Sequence, residues 1–372
     1  MRQLVSFMKT ITIITLQNVR NYGSVLQALA TQHVMESLGL ECNFVDYWKN
    51  HSDKISERLK SYTKGKNVLA KAVIACILYP TFRKDARVFD RFNRKYLHLL
   101  PGKYTCEEEL EKLPITSDIY CTGSDQTWNS GWNNGILPEL FLKFVPDSVK
   151  KIAYAASMGK SKLDEWEIKE TQQLLSRYDA VSVREKSAVD ICSGLGIKAT
   201  HVLDPTLQVT REFWMKMASQ RLIKERYVLV YQLNTNPQFD RYAKEFAKRR
   251  KCKLVRFCIR HYQALRPGKP LMIPNPEDFI SAIAYADTVI TDSFHATAFS
   301  CNLNTPMICI YPDEYSSRLA SILKLVGLEN RHLTDYSDFS FVENTEVDFE
   351  PVNRILDEQR QIGWEFLRKA IG

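Results

Sequence analysis

The sequence has no C-x-x-C pair and no H-x-x-x-H spacing, so no metal site is expected from it. Its nine cysteines (Cys42, Cys76, Cys106, Cys121, Cys192, Cys252, Cys258, Cys301 and Cys309) are odd in number and scattered, which argues against a disulfide framework. Several lie in apolar runs, where a free thiol behaves as a small hydrophobe, and reduced thiols fit the cytoplasm. No run reaches the roughly 18 apolar residues that a membrane-spanning helix needs. The apolar segment Ile11–Leu16 is short, broken by threonines and followed by no small-residue cleavage site. A buried first strand is therefore expected there rather than a secretion signal. The chain lacks both G-x-G-x-x-G and a phosphate loop, so neither a dinucleotide nor a Walker-type site is supported. It also lacks internal repeats and low-complexity tracts.

What remains is a chain of 372 residues, 45% hydrophobic and 25% charged. That is too long for one typical core and too apolar for disorder, and it argues for two domains. The formal charge of +8 is unevenly spread. Arg58, Lys60, Lys64, Lys66, Lys71, Arg83, Lys84, Arg87, Arg91 and Arg94 crowd the segment 54–95, around an apolar stretch from Val68 to Tyr79. An apolar helix flanked by bases fits contact with the inner face of a membrane; a core helix beside a solvated one fits the same pattern. No nucleic-acid-binding motif accompanies the charge, so nucleic acid is not expected as a partner.

Strand and helix patterns alternate along most of the chain. Strands are expected at Thr10–Thr15, Cys42–Tyr47, Asp118–Cys121, Lys151–Ala156, Ala180–Val183 and Thr200–Leu203, then at Tyr227–Gln232, Lys253–Phe257, Thr288–Thr291 and Pro306–Ile310. Helical periodicity fills the gaps, and Pro80 is expected to break the helical region 54–97. Such alternation predicts an α/β fold of two Rossmann-like lobes, each a parallel sheet covered by helices, with a cleft between them. The N-terminal lobe is placed at 1–210 and the C-terminal lobe at 211–345. A final helical segment, 346–372, is expected to pack back across the lobes.

In open parallel sheets, ligands bind beyond the carboxyl ends of the strands. That rule singles out Asn21 and Gly23 after the first strand, Asp125, Trp128 and Asn129 after the third, Arg184 after the fifth, and Asp292, Ser293 and His295 in the second lobe. His295 stands near a helix N-terminus, where free N–H groups favour an anion and a histidine can both bind it and move protons; Ser293 or Asp292 capping the helix beside an incidental histidine fits equally. Arg184 suits a bidentate grip on a carboxylate or phosphate, or a plain salt bridge. Asp125 suits a hydroxyl-orienting or basic role, or a turn cap. The loop holding Trp128, Asn129, Trp132, Asn133 and Asn134 mixes aromatic faces and amides as carbohydrate sites do, or else fills a core.

Five segments in order carry a family resemblance. They are Asn21-Tyr22-Gly23-Ser24-Val25-Leu26-Gln27, Gly123-Ser124-Asp125-Gln126-Thr127-Trp128-Asn129, Ser182-Val183-Arg184-Glu185, Leu203-Asp204-Pro205-Thr206, and Ala286-Asp287 through Thr291-Asp292-Ser293-Phe294-His295-Ala296. Together they resemble the polysaccharide pyruvyl transferases over roughly residues 10–330. The resemblance implies a GT-B-like fold, phosphoenolpyruvate as donor with no separate cofactor, and transfer of pyruvyl to two hydroxyls of a sugar or lipid-linked oligosaccharide as a ketal. It implies His295 as acid, Arg184 as one of the arginines holding the donor, and Asp125 as the acidic residue of the cleft. Beside these, the positions at the strand ends put Asp292 and Ser293 on the expected donor side and Asn21, Gly23, Trp128 and Asn129 on the expected acceptor side. Better-studied members carry an arginine two residues before the histidine, where this chain has Ser293. Arg318 is the expected source of the missing charge. Two other readings compete: a GT-B glycosyltransferase using a nucleotide sugar, and a catalytically silent scaffold in polysaccharide assembly.

Overall fold

Short runs rich in β-branched and aromatic residues, buried on both faces in the central strands, form two parallel sheets in the computed structural model, which describes residues 8–49, 54–312 and 316–372. The first sheet holds β1 (Thr10–Ile14), β2 (Glu41–Phe44), β3 (Ile119–Thr122), β4 (Lys150–Ala156), β5 (Ala180–Val183) and β6 (Ala199–His201) in the order β2-β1-β3-β4-β5-β6. The second holds β7 (Tyr227–Tyr231), β8 (Lys253–Cys258), β9 (Lys269–Met272), β10 (Thr288–Thr291) and β11 (Met307–Cys309) in the order β11-β10-β7-β8-β9. Helices cover both sheets, giving two Rossmann-like lobes in a GT-B-like arrangement.

Each sheet reverses its strand order once, between β1 and β3 in the first and between β7 and β10 in the second. A crevice opens at such a switch point because the two connecting segments leave on opposite faces. The loops after β1 and β3 therefore supply one wall of a site, and those after β7 and β10 the other.

The lobes share one apolar core that runs from Ile11 and Val25 to Phe257, Phe279 and Phe299. Tyr22, at the start of the helix Tyr22–Glu36, is its keystone. Its ring lies 5.0 Å from Phe89, 4.8 Å from Phe257 and 5.4 Å from Phe279. Its hydroxyl donates to the Pro274 carbonyl at 2.6 Å. Burying one such ring contributes about 2–3 kcal/mol. The closing helix, Glu350–Ile371, touches both lobes: Arg360 donates to the Leu207 carbonyl and to Asn302, while Lys9 and Lys150 donate to the Ile371 carbonyl.

Two expectations are corrected. β9 escapes the sequence pattern because Pro270 interrupts it; proline is tolerated there because β9 is an edge strand. Pro80 does not break its helix, which runs unbroken from Val68 to Tyr96. A proline inside a helix costs about 3 kcal/mol. Burial of Leu78 and Phe82 beside it, at about 1.5–3 kcal/mol per large apolar side chain, offsets that cost.

Candidate functional site

A cleft of about 660 Å³ lies between the lobes. Asn21, Ser24, Asp125 and Trp132 line it from the first lobe; Asn234, Asp292, Ser293, Phe294, His295 and Arg318 line it from the second. These are the residues that follow the strands flanking the two switch points, together with Arg318.

Asp125 reaches the cleft through an unusual turn. After β3 the chain passes Gly123, where an added Cβ would stand 2.3 Å from the Tyr154 carbonyl oxygen, so only glycine fits. Asp125 itself has φ 73°, in the left-handed region. Aspartate tolerates this because its short side chain binds locally; the Gln126 N–H donates to Oδ1 at 2.8 Å. Ser24 donates to Oδ2 at 2.5 Å and Arg184 to Oδ1 at 3.1 Å.

Arg184 directly follows β5, with a side chain only 1% exposed. It sits behind the cleft wall, bridging Asp125 and, at 2.6 Å, Asp204. Asp204 also accepts from the N–H and hydroxyl of Thr206, and Glu185 is anchored by Ser157, Met158 and Gly159. Burial alone would raise the carboxyl pKa of Asp125; Arg184, His295, Ser24 and Arg318 outweigh it and hold it at about 2. Burial opposes ionisation of Asp204 as well, and Arg184 again wins, so its pKa is lowered. Burial disfavours the Arg184 cation, but Asp204 and Asp125 more than compensate and raise its pKa.

A carboxyl whose folded pKa is depressed stabilises the fold above its unfolded value and ceases to do so as pH falls through the folded one. Stability is thus expected to drop between about pH 4 and pH 2 as Asp125 protonates. Urea denaturation across that range checks this. Asp125→Asn should flatten the dependence, and an unchanged slope in that variant would show that other groups dominate.

His295 lies in the first turn of the helix Phe294–Leu303, which Ser293 caps by accepting from the Ala296 N–H at 3.4 Å. The imidazole is buried against Gly23 of the opposite lobe. A Cβ on Gly23 would stand 2.0 Å from Nδ1, so the close approach of the two lobes requires glycine. Nε2 lies 3.9 Å from Asp204 Oδ2 and has no hydrogen-bond partner among the described residues. Burial lowers the imidazole pKa; Asp204 and Asp125 pull it up, and Arg184 and Arg318 push it down, with a net lowering.

Arg318 lies near the start of the helix Ser316–Leu325. The guanidiniums of Arg318 and Arg184 lie 5.9 Å and 5.0 Å from the Phe294 ring. Burial and the neighbouring Arg184 cation bring the Arg318 pKa down to about 10, still protonated near neutrality.

Other singled-out residues are placed differently. Asp292 lines the cleft but is engaged as a clamp, accepting from the Leu233 and Asn234 N–H groups at 2.7 and 2.9 Å and from the Asn234 side chain at 3.0 Å. Trp128 is a core residue, stacked on Phe141 and donating to the Leu140 carbonyl. Asn129 is buried and caps the turn at Trp132. The aromatic face on the cleft belongs to Trp132, with the Lys49 ammonium 3.6 Å above its ring. Sequence position gives no role to Ser24, Glu185 or Asp204; only Asp204 has a local signal, since an aspartate before proline caps a helix start. Among the described residues, no group of histidine, cysteine or acidic side chains is arranged to hold a metal ion.

The chain is similar in fold to several solved structures. A UDP-N-acetylglucosamine 2-epimerase from Rickettsia bellii is 10% identical, with a TM-score of 0.46, covering 97% of this chain and 95% of that one. The S. aureus MnaA–UDP structure is 10% identical with a TM-score of 0.47, covering 95% and 96%. An alpha-glucosyltransferase in complex with UDP and a 13-mer DNA is 10% identical with a TM-score of 0.46, covering 97% and 95%. No curated protein matches the chain at a significant level. The sequence model of one family matches residues 21–314, from the first cleft segment in one lobe through His295 in the other. On that match, the chain belongs to the polysaccharide pyruvyl transferase family.

Proposed function

We propose that this protein transfers a pyruvyl group from phosphoenolpyruvate to two hydroxyls of one sugar, forming a cyclic ketal during surface polysaccharide synthesis in the cytoplasm. The observation that carries the reading is the pairing, in one cleft, of the Arg318 cation and a buried histidine whose Nε2 has no hydrogen-bond partner among the described residues. The donor is an anion bearing a phosphate and a carboxylate, and its reactive carbon must be protonated. The acceptor is a sugar or lipid-linked oligosaccharide.

In this scheme, protonated His295 delivers its proton to the methylene carbon of phosphoenolpyruvate. Positive character develops at the carbon bearing the phosphate ester. A sugar hydroxyl forms a C–O bond there and gives up its proton. Phosphate departs with the electrons of its C–O bond, and the second hydroxyl closes the ketal, releasing a second proton. One of these protons restores His295. Asp125, with its pKa near 2, is a poor proton acceptor. Its role is electrostatic: with Asp204 it favours the imidazolium and the cationic transition state. Asn21 and Trp132 face the acceptor side, Ser293 and Arg318 the donor side, and Arg184 holds the two carboxylates ionised from behind.

The test is phosphate release from phosphoenolpyruvate in the presence of a sugar acceptor, run beside thermal shifts with a panel of sugar nucleotides, with the product identified by mass spectrometry. Donor-dependent phosphate release and a product heavier by one pyruvyl ketal support the reading. Binding of nucleotide sugars alone assigns a glycosyltransferase, and no response to either assigns a scaffold.

Arg318→Ala should weaken calorimetric phosphoenolpyruvate affinity by roughly 10- to 100-fold, the loss of a charge-assisted contact to a buried anion. Equal affinity in the variant would remove Arg318 from the donor site.

A further inference from the structure

The segment Val68–Tyr79 does not pack as a core helix. Its side chains on one side of the helix Val68–Tyr96 meet solvent, although they are apolar: Leu69 is 76% exposed, Val73 52% and Ile77 53%, with Val68 at 85% ahead of them. Cys76 and Pro80 are exposed as well. Leu69, Val73, Cys76, Ile77 and Pro80 are spaced three and four apart, so they form one outward stripe. The opposite side is packed: Leu78 and Phe82 are buried, Phe82 lies against Tyr62 and Arg58, Asp85 accepts from Arg58, and Thr81 meets His261 of the second lobe. Over its first three turns the helix is therefore apolar on its solvent side as well as on its packed side, where a surface helix is usually polar outward, and contiguous apolar exposure of this kind marks an interaction surface.

The charges around the stripe are of one sign. Lys64, Lys66 and Lys71 are exposed near its start, and the same outward side continues into exposed Arg83 and Arg87. The acids of the segment are already engaged: Glu57 with Lys60, Asp85 with Arg20 and Arg58, and Asp90 with Arg20. A second copy of the chain docking here through the same face would bring these lysines and arginines against their like, while the acids of the described segment are already paired. Anionic lipid headgroups supply the missing countercharge, and the acyl boundary supplies an apolar layer for the stripe. Among the described residues no helix is long and apolar enough to cross a membrane, so the contact would be peripheral.

We propose that the first half of this helix is a docking element for an anionic phospholipid surface, with Leu69, Val73 and Ile77 entering the headgroup boundary and Lys64, Lys66, Lys71, Arg83 and Arg87 pairing with lipid phosphates. It gives the partner surface for the polysaccharide reading above, but rests only on the exposed helix.

The full chain is sedimented with vesicles of zwitterionic phosphatidylcholine and with vesicles containing ~30% phosphatidylglycerol. Binding is expected to the anionic vesicles, and to weaken several-fold as salt is raised. The triple variant Leu69→Glu, Val73→Glu, Ile77→Glu should lower partitioning at least ~10-fold while leaving thermal unfolding unchanged, because the replaced side chains are exposed. Replacing Lys64, Lys66 and Lys71 with serine should weaken binding and reduce its salt dependence. Two results overturn the proposal: no vesicle binding by the wild type, or equal binding by the glutamate variant. Absence of vesicle binding together with a dimer that the glutamate variant converts to monomer in sedimentation velocity would assign the face to a second copy instead. None of these measurements involves phosphoenolpyruvate, so a failure here is separable from a failure of the chemistry.

Discussion

Replacing His295 with alanine is expected to lower phosphate release from phosphoenolpyruvate by roughly 10³-fold in the presence of acceptor, within the range that a positioned general acid contributes. The imidazole lines the cleft, its Nε2 has no hydrogen-bond partner among the described residues, and two buried carboxylates stand near it. In the free protein its pKa is lowered from the usual histidine value, with burial as the largest cause. A bound dianion would raise it. The active form is the protonated one, so activity is lost as pH rises through the histidine pKa. The limb for kcat should therefore lie at higher pH than the limb for kcat/KM. Stopped assays over the pH range, with circular dichroism to confirm folding, check both points. Turnover within a few-fold of wild type in His295→Ala would end the assignment of this residue as acid.

Gly23→Ala is expected to reduce kcat by roughly 10²-fold in a protein that remains folded, the scale of a misplacement of about 1 Å in a reacting group. The added methyl would stand 2.0 Å from Nδ1 of His295, so either the imidazole turns or the lobes part. The residue lies in the first turn of a helix, where alanine is favoured over glycine by up to about 1 kcal/mol. Intrinsic helix stability therefore works against unfolding, and the effect should read out in the site. Steady-state kinetics with a parallel melting curve separates the two. A variant with normal kcat would show that the Gly23–His295 contact does not set the catalytic geometry.

These two residues also show how much of the site can be read without coordinates. Each stands in a recognisable strand-to-helix corner, and the rule that ligands gather beyond strand ends marks both. Nothing in the chain order says that they touch, because they are 272 positions apart and in different lobes. Their contact follows from Tyr22, whose ring locks the start of one helix into the aromatic cluster of the other lobe. Arg184 shows the reverse. Its position after a buried strand suggests a ligand-gripping side chain, yet the tertiary structure places Asp125 and Asp204 on either side of it and keeps it behind the cleft wall. Trp128 and Trp132 are four residues apart in one loop; a short helical turn sends the first into the core and leaves the second on the cleft.

The sequence by itself determined the alternation of strand and helix, the two parallel-sheet lobes and the family, because these depend on local periodicity and on ordered short motifs. It also marked the histidine corner. The tertiary structure decided what periodicity does not encode. It placed the two switch points face to face and allowed a continuous helix through Pro80, where flanking burial outweighs one lost hydrogen bond. It left one side of the apolar segment Val68–Tyr79 facing solvent, where hydrophobicity alone would have had both sides covered. It also set the charges around His295, because the field at a buried imidazole is the sum over carboxylates and guanidiniums brought together from distant parts of the chain.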